Sequence, residues 1–92
     1  MNPIPDSARP AIRHGFRLQW EAPQNAHVLL YPEGMVRLNA SAGEILRRCD
    51  GAHSVAEIVA DLERVFGRSG LSGDVIAFVS LAQQRDWLEL AP

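Results

Sequence analysis

The hydrophobic period of this chain changes once, from two before residue 40 to about 3.6 after it, and that switch constrains the fold most. Phe16-Arg17-Leu18-Gln19-Trp20-Glu21 alternates apolar and polar residues without a break. A strand sends successive side chains to opposite faces, so this run predicts a strand over 16–21 buried on one side. Ala22-Pro23-Gln24-Asn25 is a loop of hairpin length. Residues 26–31 are apolar on both faces, as the central strand of a small sheet must be. Tyr31-Pro32-Glu33-Gly34 places proline second and glycine fourth, the chemistry of a tight turn, and a short third strand follows over 35–38. The expectation is a three-stranded antiparallel meander whose outer strands keep free edges.

Helical spacing takes over from there. Ser41-Ala42-Gly43-Glu44 has the capping-box pattern, with Asn39 as a competing cap, and Ala42, Ile45, Leu46 and Cys49 follow at i, i+3, i+4, i+7. This predicts a helix over 41–49, ended by Asp50-Gly51 because glycine accepts a left-handed C-terminal position. Ser54-Val55-Ala56-Glu57 is a second capping box. It opens a helix over 54–66 whose stripe is Val55, Ile58, Val59, Leu62 and Phe66, stopped by Gly67. A third helix is expected over 72–84, then a final turn or short strand over 85–90 that packs Trp87 back on the core. Strands grouped before helices make an α+β domain over 16–92: a three-stranded meander followed by a three-helix bundle. Residues 1–15, with Pro3, Pro5, Pro10 and Gly15, read as an extended arm with no core of its own, either frayed or docked on another subunit.

Composition narrows the chemistry. The 92 residues contain one cysteine, nine arginines and no lysine. An intrachain disulfide, a cysteine-rich zinc site, Schiff-base catalysis and a phosphate-loop lysine are therefore excluded. Cys49 sits on the apolar stripe of its helix and reads as buried and inert. His14, His27 and His53 lack metal-ligand spacing, and Asp50 is better placed to end the first helix than to form a dyad with His53 and Cys49. Gly67, Gly70 and Gly73 follow a helix rather than a strand, so they make a flexible link and not a dinucleotide loop. The net charge of −2 argues against a duplex-binding domain. So does the third helix: from Ser69 to Ala82 there is no basic residue, and Asp74 lies in the first turn. Met1–Asp6 does not match a secretory signal and no apolar run is long enough to span a bilayer, which points to the cytosol without a membrane partner.

The third helix carries an excess. Val75, Ile76, Phe78, Val79, Leu81 and Ala82 cover an arc of about 220° where a small core needs about 100–140°. The surplus either wraps deeper into the core or forms one wall of a groove that receives another chain.

The order of the motifs resembles a known family. Phe16-Arg17-Leu18 is followed by Val28-Leu29-Leu30-Tyr31-Pro32-Glu33-Gly34, then Leu38-Asn39, Ile45-Leu46-Arg47-Arg48-Cys49-Asp50-Gly51, Val55-Ala56-Glu57-Ile58-Val59, and Asp74-Val75 leading to Trp87. The set resembles the PqqD family of pyrroloquinoline quinone biosynthesis proteins over about residues 10–90. One departure is Arg85-Asp86-Trp87, where a glycine is expected before the aromatic. The resemblance implies a winged-helix-like peptide-recognition domain that is not an enzyme. Such a domain binds the ribosomal precursor peptide PqqA and presents it to the radical SAM enzyme PqqE, which joins a Glu and a Tyr of the peptide. It implies no cofactor or metal on this chain, with iron–sulfur cluster, SAM and quinone belonging elsewhere. It also places the peptide between the third strand and third helix, here Met35, Val36, Arg37 and Leu38 facing Val75, Phe78, Val79 and Leu81. Arg37 is then positioned for an acidic peptide residue. The competing reading is a winged-helix nucleic-acid-binding protein, whose duplex affinity would fall steeply with salt.

Overall fold

The structure, a computed structural model, describes residues 4–91. A meander of β2 (Arg17–Glu21), β3 (Ala26–Tyr31) and β4 (Gly34–Arg37) forms one antiparallel sheet with β3 in the centre. Helices α1 (Ala40–Leu46), α2 (Val55–Phe66) and α3 (Ser72–Gln84) follow. A strand near each end of the chain, β1 (Arg9–Ile12) and β5 (Leu88–Ala91), pairs antiparallel to make a second, two-stranded sheet. The α+β architecture is the one expected, and the meander occupies nearly the expected positions.

The N-terminal segment departs from the expected arm. Ile4, Ala8 and Pro10 are buried, and β1 is held on both sides. One edge pairs with β5. On the other, the amides of Gly51 and Val55 donate to the carbonyls of Pro10 and Ala8. Pro10 fits because its missing donor falls at a position of β1 that does not bond to β5. Sequence alone hides this pairing, since its partners lie some 80 positions apart (Arg9 with Ala91) and neither strand has a period long enough to declare itself. Residues 1–3 of that arm lie outside the described residues.

Smaller differences have local causes. Asn39, not Ser41, caps α1: its side-chain oxygen accepts the Ala42 amide at 2.8 Å, so the helix starts one residue early. Glu44 is thereby free of the Ser41 capping box and accepts from Arg48 instead. The helix also ends at Leu46, three residues short of the expected Cys49, and Gly51 uses its positive φ of 79° in the loop beyond. The second capping box forms as expected, with Ser54 accepting from Glu57 N–H and Glu57 accepting from Ser54 N–H, and Gly67 closes α2 at a φ of 62°. The 22–25 loop is a single 3-10 turn.

One core unites these elements. Leu29 from β3, Leu46 from α1, Ile58 and Leu62 from α2, Val75 and Val79 from α3 and Leu88 from β5 are all at most 2% exposed. Cys49 is buried among them, its thiol donating to the Ile45 carbonyl. Burial, with the charge of Asp50 adding to it, pushes that thiol up to about 12. Trp87 packs back on the core as expected, 8% exposed. An ion network ties α1 to α2: Arg48 donates to the Glu44 carboxylate at 2.9 Å and to Asp61 at 2.6 Å, and Arg64 donates to the other oxygen of Asp61.

Candidate functional site: an open strand edge and a divided α3

The alternation of the β3–β4 ladder decides which backbone groups face outward. Leu38 N–H donates to His27 C=O, which makes that pair a bonded one. In an antiparallel ladder bonded pairs alternate with unbonded ones, so Val36–Leu29 and Gly34–Tyr31 are bonded too. Met35 and Arg37 occupy the unbonded positions. Their N–H and C=O groups point away from β3, and sheet order gives β4 no neighbour on that side among the described residues. The edge therefore offers two donors and two acceptors spaced for another strand.

The side chains of β4 divide between the two faces. Val36 shares the face of Leu29 and packs half-buried against the core, and Leu38 is fully buried. Met35 and Arg37 project to the opposite face, where Met35 is 50% exposed and Arg37 is exposed with no ion-pair partner among the described residues. Val28, their central neighbour on that face, is nevertheless 1% exposed, flanked by Gln19 and Arg37 across the ladder.

Helix α3 is split in the same way. Val75, Val79 and Ala82, at i, i+4 and i+7, are the buried stripe. Asp74, Phe78 and Leu81 make the stripe beside it: Asp74 exposed, Phe78 half-buried and Leu81 40% exposed. The apolar surplus seen in the sequence is thus partly core and partly surface. Of the eight residues expected at a peptide groove, Leu38, Val75 and Val79 hold the core. Met35, Val36, Arg37, Phe78 and Leu81 retain accessible surface.

Sequence reasoning passed over one concave feature. A cleft of about 310 Å³ opens where α1, α2 and α3 meet, lined among others by Ser41, Ile45, Phe66, Leu71 and Asp74. The signal available was Phe66, placed in the core stripe of α2 but in fact 49% exposed at the helix end.

The remaining candidates do not assemble a catalytic or metal centre. His53 pairs with Asp50 at 2.8 Å, and the Asp50 carboxylate also accepts the Ala52 and His53 amides, which with His53 hold its pKa below the usual range. Asp50 thus shapes the α1–α2 loop while Cys49 faces the core. Among the described residues no three His, Cys, Asp or Glu side chains gather for a metal, and no helix is long and apolar enough to cross a membrane.

Comparison with known proteins bears on the family and the fold. The family profile described as coenzyme PQQ synthesis protein D (PqqD) matches residues 26–88. A protein of Azotobacter vinelandii named PqqA binding protein is 55% identical over 82 residues, covering 88% of this chain and 89% of its own. One of the same name from Klebsiella pneumoniae is 49% identical over 79 residues, covering 85% and 86%. The solution NMR structure of the PqqD truncation of Methylobacterium extorquens PqqCD superimposes with a TM-score of 0.74 at 30% identity, covering 94% of both chains. That protein is described as a functional, stand-alone recognition element for ribosomally synthesized and post-translationally modified peptides. With the fold, the motif order and these matches together, the chain belongs to the PqqD family of coenzyme PQQ synthesis proteins.

Proposed function

We propose that this chain is a non-catalytic peptide chaperone of pyrroloquinoline quinone biosynthesis. It binds PqqA as a fourth strand on the open edge of β4 and presents it to the radical SAM enzyme PqqE in the cytosol. The relatives named for PqqA binding supply the ligand. The observation that carries the mode is the pair of outward-facing backbone positions, Met35 and Arg37, on the open edge of β4. Strand addition draws affinity from main-chain hydrogen bonds and selectivity from neighbouring side-chain surfaces. Met35, Phe78 and Leu81 give the peptide apolar contacts, Val36 lines the edge, and Arg37 meets an acidic side chain. Buried Leu38, Val75 and Val79 position these groups from beneath.

Calorimetric titration with synthetic PqqA tests the reading, with a DNA duplex as the comparison. PqqA should bind and the duplex should not, at either low or high salt. Duplex affinity that falls steeply with salt, without PqqA binding, would favour the nucleic-acid reading instead.

A further inference from the structure

The cleft between the three helices has no role in the strand addition described above, yet it is built to take a side chain. Its floor is Ile45, Leu62 and Val75, each at most 6% exposed, so it is apolar and rigid. Phe66, 49% exposed, and half-buried Leu71 stand as walls, which leaves apolar surface facing water where α2 ends. At about 310 Å³ it sits at the lower bound for small-molecule pockets, the size of one large side chain with its surroundings rather than of a cofactor.

Its rim and its position suggest the occupant. Asp74 lies in the first turn of α3, where the helix end already favours its charge. Arg68, also on the rim, is an exposed cation with no ion-pair partner among the described residues. Ser41 edges the cleft only four positions after Arg37, a span of at most about 14 Å. The stripe of α3 that meets the cleft at Asp74 continues through Phe78 to Leu81. These two features put the cleft within a short reach of the open edge of β4. Ser41 follows the C-terminal end of β4, the end at which an added strand running antiparallel to β4 would begin.

We propose that this cleft is an anchor pocket for the bound peptide. It takes one large apolar side chain from just N-terminal of the strand-paired segment, with an acidic peptide neighbour placed against Arg68. The proposal rests on the peptide-binding reading and deepens it: backbone pairing alone does not fix register, and a single buried anchor does.

The test titrates synthetic PqqA into the unaltered protein, Phe66→Ala and Arg68→Glu, with thermal melts to compare folding. Arg68 is exposed and Phe66 is 49% exposed, so Arg68→Glu should leave the melt unchanged and Phe66→Ala should lower it only slightly. The account expects each substitution to weaken PqqA binding about tenfold or more, the Arg68→Glu loss shrinking at high salt. PqqA binding that is unchanged in both variants would overturn the anchor pocket while leaving peptide binding intact. Failure of the unaltered protein to bind would instead remove the peptide-binding reading, and the pocket with it. Amide shifts in the unaltered protein give a second readout independent of the variants: movement at Phe66 and Leu71 on titration supports the pocket, and their stillness under saturating PqqA contradicts it.

Discussion

Asp86 carries a backbone strain at the turn where the sequence departs from the family pattern. It stands where the family resemblance expects glycine, and its φ is 61°, in the left-handed region that L side chains adopt at a cost. Its side chain is 77% exposed and reaches Arg13 only at 4.0 Å, too weak a contact to offset that cost. Asp86→Gly should therefore raise stability by about 0.5–1 kcal/mol, visible as a higher Tm in a thermal melt. Gly43 shows the opposite constraint. A Cβ there would lie 2.6 Å from the His27 ring, which is itself held edge-on against Trp20 at 4.9 Å. Gly43→Ala should lower the Tm, because overpacking costs about 1–3 kcal/mol and outweighs the roughly 1 kcal/mol of helix propensity gained. Nothing in the local sequence announces that contact, since it depends on α1 crossing β3. Cys49 was legible, because its place on an apolar stripe foretold its burial. With its thiol pushed up to about 12, it should resist alkylation in the native protein and react at once on unfolding in denaturant.

The strand β4 behaves differently from one residue to the next, and proline substitution separates the positions. Val36 bonds inward to Leu29, so Val36→Pro breaks the ladder and should lower stability as well as binding. Met35→Pro removes only an outward donor; it should leave the melt nearly unchanged and weaken PqqA binding about tenfold. Periodicity could place this strand but not its bonding phase, because phase is set by the turn at Pro32-Glu33 and by its partner. The same limit applied to α3: the arc of its apolar residues was plain, and only packing could divide Val75 and Val79 from Phe78 and Leu81. The α1–α2 pair makes a pH prediction. Hydrogen bonds from Arg48 hold the Glu44 and Asp61 carboxyls below their usual range, with Arg47 and Arg64 adding to the effect. Their stabilisation is complete above the unfolded-chain values of about 4 and is lost as pH falls through the lowered native values. Urea melts should thus show stability declining below about pH 4.5, and the decline should be shallower in Arg48→Met.

The domain as a whole joins a legible framework to an illegible closure. The meander and the three helices follow from periods and caps that act within a dozen residues. The β1–β5 sheet does not, for it joins segments some 80 positions apart and needs the finished core to bring them together. That closure ties the segments 9–12 and 88–91 together, while among the described residues β4 keeps an open edge. The candidate site was partly legible for the same reason: the strand and helix that frame it could be named, whereas the outward-facing positions and the helical cleft required the fold. The central claim is that PqqA adds to β4 as a strand, and amide hydrogen exchange followed by NMR reads this directly. In the free protein Met35 and Arg37 amides should exchange fast and the Val36 amide slowly; with saturating PqqA, Met35 and Arg37 should become protected while Val36 changes little. PqqA that binds yet leaves the Met35 and Arg37 amides exchanging as fast as before would contradict strand addition.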